Sequence, residues 1–145
     1  MKIIFIILIT FYSLLASAKE KYSFNLNGNF SVNLKALPDG STFETIYSKG
    51  AFVDNLGNYG KYDCNGIREA NQNGKLINLN VLCEVLDKDG EQMWFKGKRH
   101  TDKIGGIGYY TILDGTGSHK EKVGLVCTYA VTFFEDIILV KVICD

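Results

Sequence analysis

The chain is poor in the residues from which many functional sites are built. It has one proline, one tryptophan and two histidines, and its 16 basic and 16 acidic residues balance. No basic cluster occurs that would neutralise nucleic-acid phosphates, which argues against a nucleic-acid partner. No serine or cysteine lies in a nucleophile elbow, so no catalytic residue is assigned. We expect no metal and no cofactor, and the pattern favours a protein that is not an enzyme.

Long hydrophobic runs are absent after the first residues. Lys2 precedes an apolar run from Ile3 to Leu15 and the small residues Ala16-Ser17-Ala18. This pattern predicts a secretory signal peptide over residues 1–18 and a single domain over 19–145, exported to the bacterial periplasm or secreted. An uncleaved membrane anchor is the alternative. After signal cleavage no membrane span is expected.

Helical periodicity is also absent, whereas segments of alternating apolar and polar residues recur between turn signals. Valine, isoleucine, tyrosine, phenylalanine and threonine are frequent in them. The sequence therefore predicts an all-β domain. Eight strands are expected: 22–34, 41–53, 58–69, 75–87, 91–99, 106–114, 122–134 and 137–144.

Short turns separate most of these segments and favour an antiparallel meander. The turn signals are Pro38-Asp39-Gly40, Asn73-Gly74, Lys88-Asp89-Gly90 and Glu135-Asp136. Eight consecutive strands that close into a small β-barrel leave no exposed edge, and such a barrel can hold one small ligand. Asp87-Lys88-Asp89-Gly90 lacks the later ligands of a calcium loop, and a hairpin turn explains it better.

Four cysteines, Cys64, Cys83, Cys127 and Cys144, permit three disulfide pairings. A two-residue turn at Asn73-Gly74 places Cys64 opposite Cys83 across a hairpin, and a turn at Glu135-Asp136 places Cys127 opposite Cys144. Both pairs are then close enough for a disulfide. Free buried thiols and a zinc site are the alternatives, but zinc sites usually contain close CxxC pairs, which are absent.

A glycine-rich stretch covers residues 105–124 and superficially looks like a phosphate-binding loop. It lacks the GxxxxGK[ST] spacing, and no helix is predicted to follow it. We interpret its glycines as structural, placed at bulges and sharp bends of the sheet where a Cβ is excluded. These glycines are Gly106, Gly108, Gly115, Gly117 and Gly124.

The same stretch resembles a known signature. Gly106-Ile107-Gly108, a six-residue run, Gly115-Thr116-Gly117-Ser118-His119-Lys120 and Gly124 look like the "GxG…GTGxYKxxxG" pattern of bacterial exported proteins similar to the allene oxide cyclase-like (dirigent-like) barrel superfamily. Cys64-Asn65-Gly66, Cys83 and the sequence DKDGEQ are similar to other elements of that group. The resemblance covers about residues 60–134 and departs from the pattern at Asp114 and His119.

The resemblance implies an eight-stranded antiparallel barrel with a cavity, as in plant allene oxide cyclases and dirigent proteins. Those proteins steer reactive intermediates inside a hydrophobic barrel. No functional residue of the plant proteins aligns to a position in this chain. The resemblance therefore implies a fold and a cavity, but it carries over no activity.

Four residues are candidates for the ligand pocket: Glu84, Trp94, Tyr110 and His119. Aromatic side chains with few polar groups are typical of pocket linings. Glu84 lies on a strand face that mixes polar and apolar residues, as expected of solvent or a partly wet cavity. For His119, a partly exposed position in a turn is the alternative to a functional role. Other acid and base candidates, without a recognisable arrangement, are His100, Glu44, Asp63 and Arg68.

Three functions remain open. The first is binding of a small apolar or amphipathic ligand inside the barrel, which we favour. The second is an isomerase or cyclase of the allene oxide cyclase kind, which requires a polar group facing a closed cavity. The third is a protein interaction module, which requires a contiguous exposed apolar patch.

Overall fold

The computed structural model describes residues 20–99 and 106–145. These residues form eight antiparallel strands in sequence order, closed into one barrel, which confirms the predicted fold class. The predicted signal peptide lies outside the described residues. The strands are β1 (Ser23–Ala36), β2 (Thr42–Asp54), β3 (Tyr59–Ala70), β4 (Leu76–Asp87), β5 (Gln92–Lys98), β6 (Ile107–Gly115), β7 (Val126–Phe134) and β8 (Ile137–Cys144).

The barrel closes where β1 pairs with β8, from Ser23 opposite Ile143 to Asn29 opposite Ile137. Of these residues, Phe24 to Asn29 also pair with β2 on their other side. Both edges of the meander are therefore used, and no strand edge along this seam is free to pair with another chain. Every second side chain of each strand points into the enclosed space.

The hairpin turns follow one rule along most of the chain. A glycine with positive φ ends four of the turns, at Gly40, Gly57, Gly74 and Gly90, where φ lies between 74° and 88°. In three turns a side-chain Oδ1 accepts two backbone N–H groups and so stabilises the loop. The accepting residues are Asp54, Asn71 and Asp87.

The β3–β4 turn differs from the predicted two-residue turn at Asn73-Gly74. The N–H of Asn71 donates to the carbonyl of Lys75, so three residues form the loop. That shift of one residue is cancelled by a bulge at Ile77, which lies between the partners of Ala70 and Glu69. The two irregularities compensate, so Cys64 still lies opposite Cys83.

Both predicted disulfides are present: Cys64 is bonded to Cys83 and Cys127 to Cys144. All four cysteines point into the barrel and are buried. The second pair follows from the two-residue turn at Glu135-Asp136, which was predicted correctly. Each disulfide therefore cross-links two neighbouring strands from inside the core.

The two ends of the barrel differ. We call the end with the β2–β3 and β4–β5 turns the closed end, and the end with the β1–β2, β3–β4 and β7–β8 turns the open end. Large side chains fill the closed end, where the ring centroid of Phe24 lies 5.7 Å from that of Phe52 and 5.4 Å from that of Phe95. Met93 and Ile112 complete this buried core.

A 3₁₀ helix, Gly117–Lys122, covers the closed end. The predicted strand over 122–134 is therefore wrong at its start, because β7 begins at Val126. Gly117 has φ of +50°, a conformation that most side chains resist, and this directs the chain away from the sheet. Within residues 20–99 and 106–145 no helix is long and apolar enough to cross a membrane.

We predict that each disulfide stabilises the barrel by about 3 kcal/mol in the chain-entropy model, because each closes a loop of fewer than 20 residues. Denaturant unfolding of the oxidised protein and of Cys64→Ala/Cys83→Ala measures this free energy. Peptide mapping without reductant should recover Cys64 linked to Cys83. A link between Cys83 and Cys127 would contradict the register of β3 and β4.

Candidate functional site

A cavity of about 390 Å³ occupies the open half of the barrel. This volume lies in the range of small-molecule sites. Its walls come from β1, β2, β3, β4, β6, β7 and β8, with Arg99 just after β5. Apolar side chains form most of the lining, and they include Leu26, Phe30, Val81, Val131, Phe133, Ile138 and Val140.

Two tyrosines form the floor of the cavity. The rings of Tyr110 and Tyr129 stack with centroids 4.4 Å apart, and Tyr110 packs edge-on against Phe95 of the closed end. Both rings lie over glycines: a Cβ on Gly108 would come within 2.3 Å of the Tyr129 ring. The aromatic floor therefore requires glycine on the neighbouring strand, because the space that a Cβ would take is occupied by the tyrosine ring.

The tyrosine hydroxyls at this floor stay protonated at neutral pH. Burial raises the pKa of Tyr110, and it raises the pKa of Tyr129 to about 12, although the positive charge of Arg99 acts in the opposite direction on Tyr129. Burial also raises the pKa of Tyr62, while the Ser48 hydroxyl acts in the opposite direction. The Tyr62 hydroxyl forms no hydrogen bond of normal geometry among the described residues. These groups can donate or accept hydrogen bonds, but they are poor bases.

Four charged side chains line the same cavity: Glu44, Arg68 and Arg99 are buried or half-buried, whereas Glu135 is exposed. Glu44, only 7% exposed, forms an ion pair with Arg68, and Thr42 donates a hydrogen bond to it as well. Arg99 is 8% exposed, and its Nε has no hydrogen-bond partner among residues 20–99 and 106–145. The apolar cavity therefore contains one compensated ion pair and a further buried guanidinium.

Of the four predicted pocket residues, the cavity contains Tyr110. Glu84 and Trp94 lie on the outer face of the barrel, since the inward positions beside them belong to Cys83, Val85, Met93 and Phe95. Glu84 accepts a hydrogen bond of 2.7 Å from Gln92 on that outer face. The alternation was predicted correctly, and of the two interpretations of the mixed face of β4, solvent or a partly wet cavity, the structure has solvent.

His119 is neither a cavity residue nor a partly exposed turn residue. It is fully buried at the closed end, in the 3₁₀ helix, with its ring 6.4 Å from that of Phe52. Its Nε2 lies 3.1 Å from Asp87 Oδ2 in the β4–β5 turn. Because its side chain points into the protein and not into solvent, His119 connects the 3₁₀ helix to the β4–β5 turn.

Three side chains at the closed end each have one atom that could bind a metal ion, and these atoms lie within 4.8 Å of one another. They belong to Asp87, Glu91 and His119. Each already has protein partners. Asp87 accepts N–H groups from its own turn and contacts His119, while Glu91 accepts two hydrogen bonds from Ser118. We interpret this cluster as a clasp that fastens the 3₁₀ helix to the β4–β5 turn.

The glycines of the 105–124 stretch have separate structural roles. Gly117, the first residue of the 3₁₀ helix, and Gly124, two residues after its end, have positive φ. A Cβ on Gly115 would meet the backbone of His119 at 2.8 Å. Gly108 makes room for the tyrosine floor. These glycines therefore lie at separate places along the chain and do not converge on one ligand, as expected for a sheet that bends.

Some of the polar residues of the cavity were named from the sequence. Glu44 and Arg68 were among the acid and base candidates, without an arrangement, and the structure brings them together. Arg99, Tyr62 and Tyr129 were missed. The signal for Arg99 was available, because Met93, Phe95 and Gly97 alternate into the barrel and Arg99 is the next position in that series.

The fold and cavity define an eight-stranded meander barrel with an internal site. No family model matches the chain, and no curated protein matches it. Among solved structures, it is similar to a protein of unknown function from Clostridium acetobutylicum ATCC 824, with a TM-score of 0.62 at 14% sequence identity. The match covers 87% of this chain and 96% of that chain. At this identity the likeness concerns the fold alone.

We predict that Asp87→Asn lowers the free energy of unfolding by about 1–3 kcal/mol at neutral pH, the range for a hydrogen-bonded charge. Burial alone would raise the pKa of Asp87, but the N–H groups of Glu91 and Asp89 and the His119 imidazole hold it below the ordinary 3.8. The ionised form is therefore favoured by folding, and its contribution is lost as pH falls through the lowered pKa.

Urea unfolding of the wild type and Asp87→Asn at several pH values measures this effect. The difference between the two proteins should be largest above pH 4 and should shrink as pH falls toward 2. A difference that grows toward acid pH would contradict the clasp.

Proposed function

We propose that the protein binds a small apolar or amphipathic molecule inside the open half of its barrel. The observation that carries this proposal is the cavity of about 390 Å³, with mostly apolar walls and a few buried polar groups on one side. Apolar walls provide affinity by burying ligand surface, while isolated polar groups fix the orientation of the ligand. Side chains of residues 20–99 and 106–145 leave this end of the interior unfilled.

We also propose that the protein acts after export. The charged, apolar and small-residue pattern of residues 1–18 supports a cleaved signal peptide. Two disulfides are compatible with an oxidising compartment outside the cytoplasm. A stable, cross-linked barrel with an internal cavity suits a carrier or receptor of small molecules in that setting.

An isomerase or cyclase related to the allene oxide cyclase-like barrels is the second candidate. The condition for it was a polar group facing the cavity, and Glu44, Arg68 and Arg99 supply such groups. Glu44 is held by Arg68, however, and the tyrosines have raised pKa values, so a free general base is not evident in the described part of the cavity. Binding is therefore the function that this geometry supports best.

A surface interaction module also has an observation in its favour. The outer face of β6, β7 and β8 carries several large apolar side chains in solvent, which are Ile107, Tyr109, Val126, Phe134, Ile137, Leu139 and Ile143. Phe134 lies directly opposite Ile137, and Tyr109 and Ile143 lie on the two sides of Thr128. Contiguous exposed apolar surface is typical of interaction sites.

We predict that 1-decanol, a terpenoid alcohol or a simple phenol raises the melting temperature of the folded protein. A ligand that binds only the native state stabilises it by about 2.7 kcal/mol at a hundred times its Kd. Calcium, zinc and ATP should give no shift.

Two neighbouring residues of β8 provide matched variants. Val140 lines the cavity, whereas Leu139 points outward. Val140→Phe should fill part of the cavity and remove the decanol-induced shift, while Leu139→Phe should retain it. If no apolar compound shifts the wild type, or if both variants retain the shift, the internal site is wrong and the outer apolar face becomes the better candidate.

A further inference from the structure

One buried cationic side chain of the cavity, Arg99, has no ion-pair partner among residues 20–99 and 106–145. Arg68 has Glu44 as its partner, but the Nε of Arg99 has no partner among the described residues. Taking a guanidinium out of water costs free energy unless hydrogen bonds or an opposite charge replace the lost hydration. A buried Arg99 at the wall of an open cavity is therefore suited to bind an anionic group that enters from outside.

The other ionisable groups that line the cavity leave this role to Arg99. Glu135 is exposed in the β7–β8 turn, where water can solvate its carboxylate, and Glu44 is already held by Arg68. Burial lowers the pKa of Arg99, and nearby Arg68 adds to that effect while Tyr129 opposes it. The guanidinium groups of Arg68 and Arg99 thus both face this part of the cavity. Among the described residues, one carboxylate, that of Glu44, forms an ion pair with them, and it binds Arg68.

Hydroxyl donors accompany Arg99. The Tyr62 hydroxyl is buried without a hydrogen bond of normal geometry among the described residues. Tyr129 provides a second, neutral hydroxyl, and the positive charge of Arg99 acts to lower its pKa. An ionised carboxylate accepts several hydrogen bonds in one plane, which matches a guanidinium fork supplemented by a hydroxyl. An alcohol or an amine lacks either the charge or the acceptors.

The remaining wall fits an apolar body. Val81 of β4, Val131 of β7 and Val140 of β8 line the cavity together with Leu26 and Phe30 of β1. None of these side chains can hydrogen-bond to a ligand. The cavity therefore combines one cationic position with an extended apolar surface.

We propose that the cavity selects apolar carboxylates, with the carboxylate bound by Arg99 and the alkyl or ring portion packed against the apolar wall. This inference rests on the proposed internal binding site and adds the chemical class of the ligand. Neutral analogues enter the same cavity with lower affinity, and amines are disfavoured because the Arg99 guanidinium repels them.

Titration calorimetry with decanoate, 1-decanol and decylamine, each below its aggregation concentration, tests the proposal. The wild type should bind decanoate about ten- to a hundredfold more tightly than 1-decanol, the range expected for a hydrogen bond to a charged group. Decylamine should bind most weakly. Arg99→Met should remove the preference for decanoate while the Kd for 1-decanol changes little.

Lys98→Met is the matched control, because Lys98 is the preceding residue and is exposed on the outer face. It should retain the preference for decanoate. If Lys98→Met lost the preference as fully as Arg99→Met, general surface charge would explain it and the assignment to Arg99 would be overturned.

The wild-type comparison also decides the matter when Arg99→Met does not fold. Equal or tighter binding of 1-decanol overturns the carboxylate inference but leaves the internal site in place. Absence of binding by all three compounds overturns both. Tighter binding of decanoate that Arg99→Lys partly preserves supports the cationic position.

Discussion

The pairing of β1 with β8 is the interaction on which the rest of the structure depends. It converts a meander, whose first and last strands would present unpaired edges, into a closed barrel. Closure also fixes the amount of interior space, because eight strands enclose a volume that only the inward half of the side chains can fill. The size of those side chains then determines which end of the barrel is packed and which end contains a cavity.

The interior is divided by its aromatic floor. Toward the closed end, phenylalanines, Met93 and Ile112 fill the space, and the 3₁₀ helix covers them with His119 fastened to Asp87. Toward the open end, valines leave volume free, and long charged side chains replace packed ones. The stacked Tyr110 and Tyr129 lie between these halves. The packed core and the cavity thus lie at different ends of one barrel.

Much of the architecture could be predicted from local pattern. Period-two segments and glycine turns gave the eight strands, because these signals act within a few residues. The Cys64–Cys83 pair was predicted correctly although its turn was not, since the bulge at Ile77 cancelled the longer loop. The 3₁₀ helix was missed because a helix of six residues has no periodicity to detect.

The site was harder to predict than the fold. Alternation along β4 placed Glu84 and Cys83 on different faces of the sheet. Because one of these faces has mixed polarity, the pattern alone does not determine which face points into the barrel. The disulfide pairs could have decided it, because all four cysteines point inward. Arg99 was missed since a charged residue at a strand end is ordinarily solvated, and only the closed barrel makes it a cavity residue.

The central claim is that the open half of the barrel holds a ligand rather than serving as unfilled core. A crystal structure of the oxidised protein grown with 1-decanol tests it most directly. The account predicts electron density for the alkyl chain between Val81, Val131 and Val140, above the Tyr110 and Tyr129 rings. A barrel whose side chains collapse into that space, with decanol absent or bound only on the outer face, would contradict it.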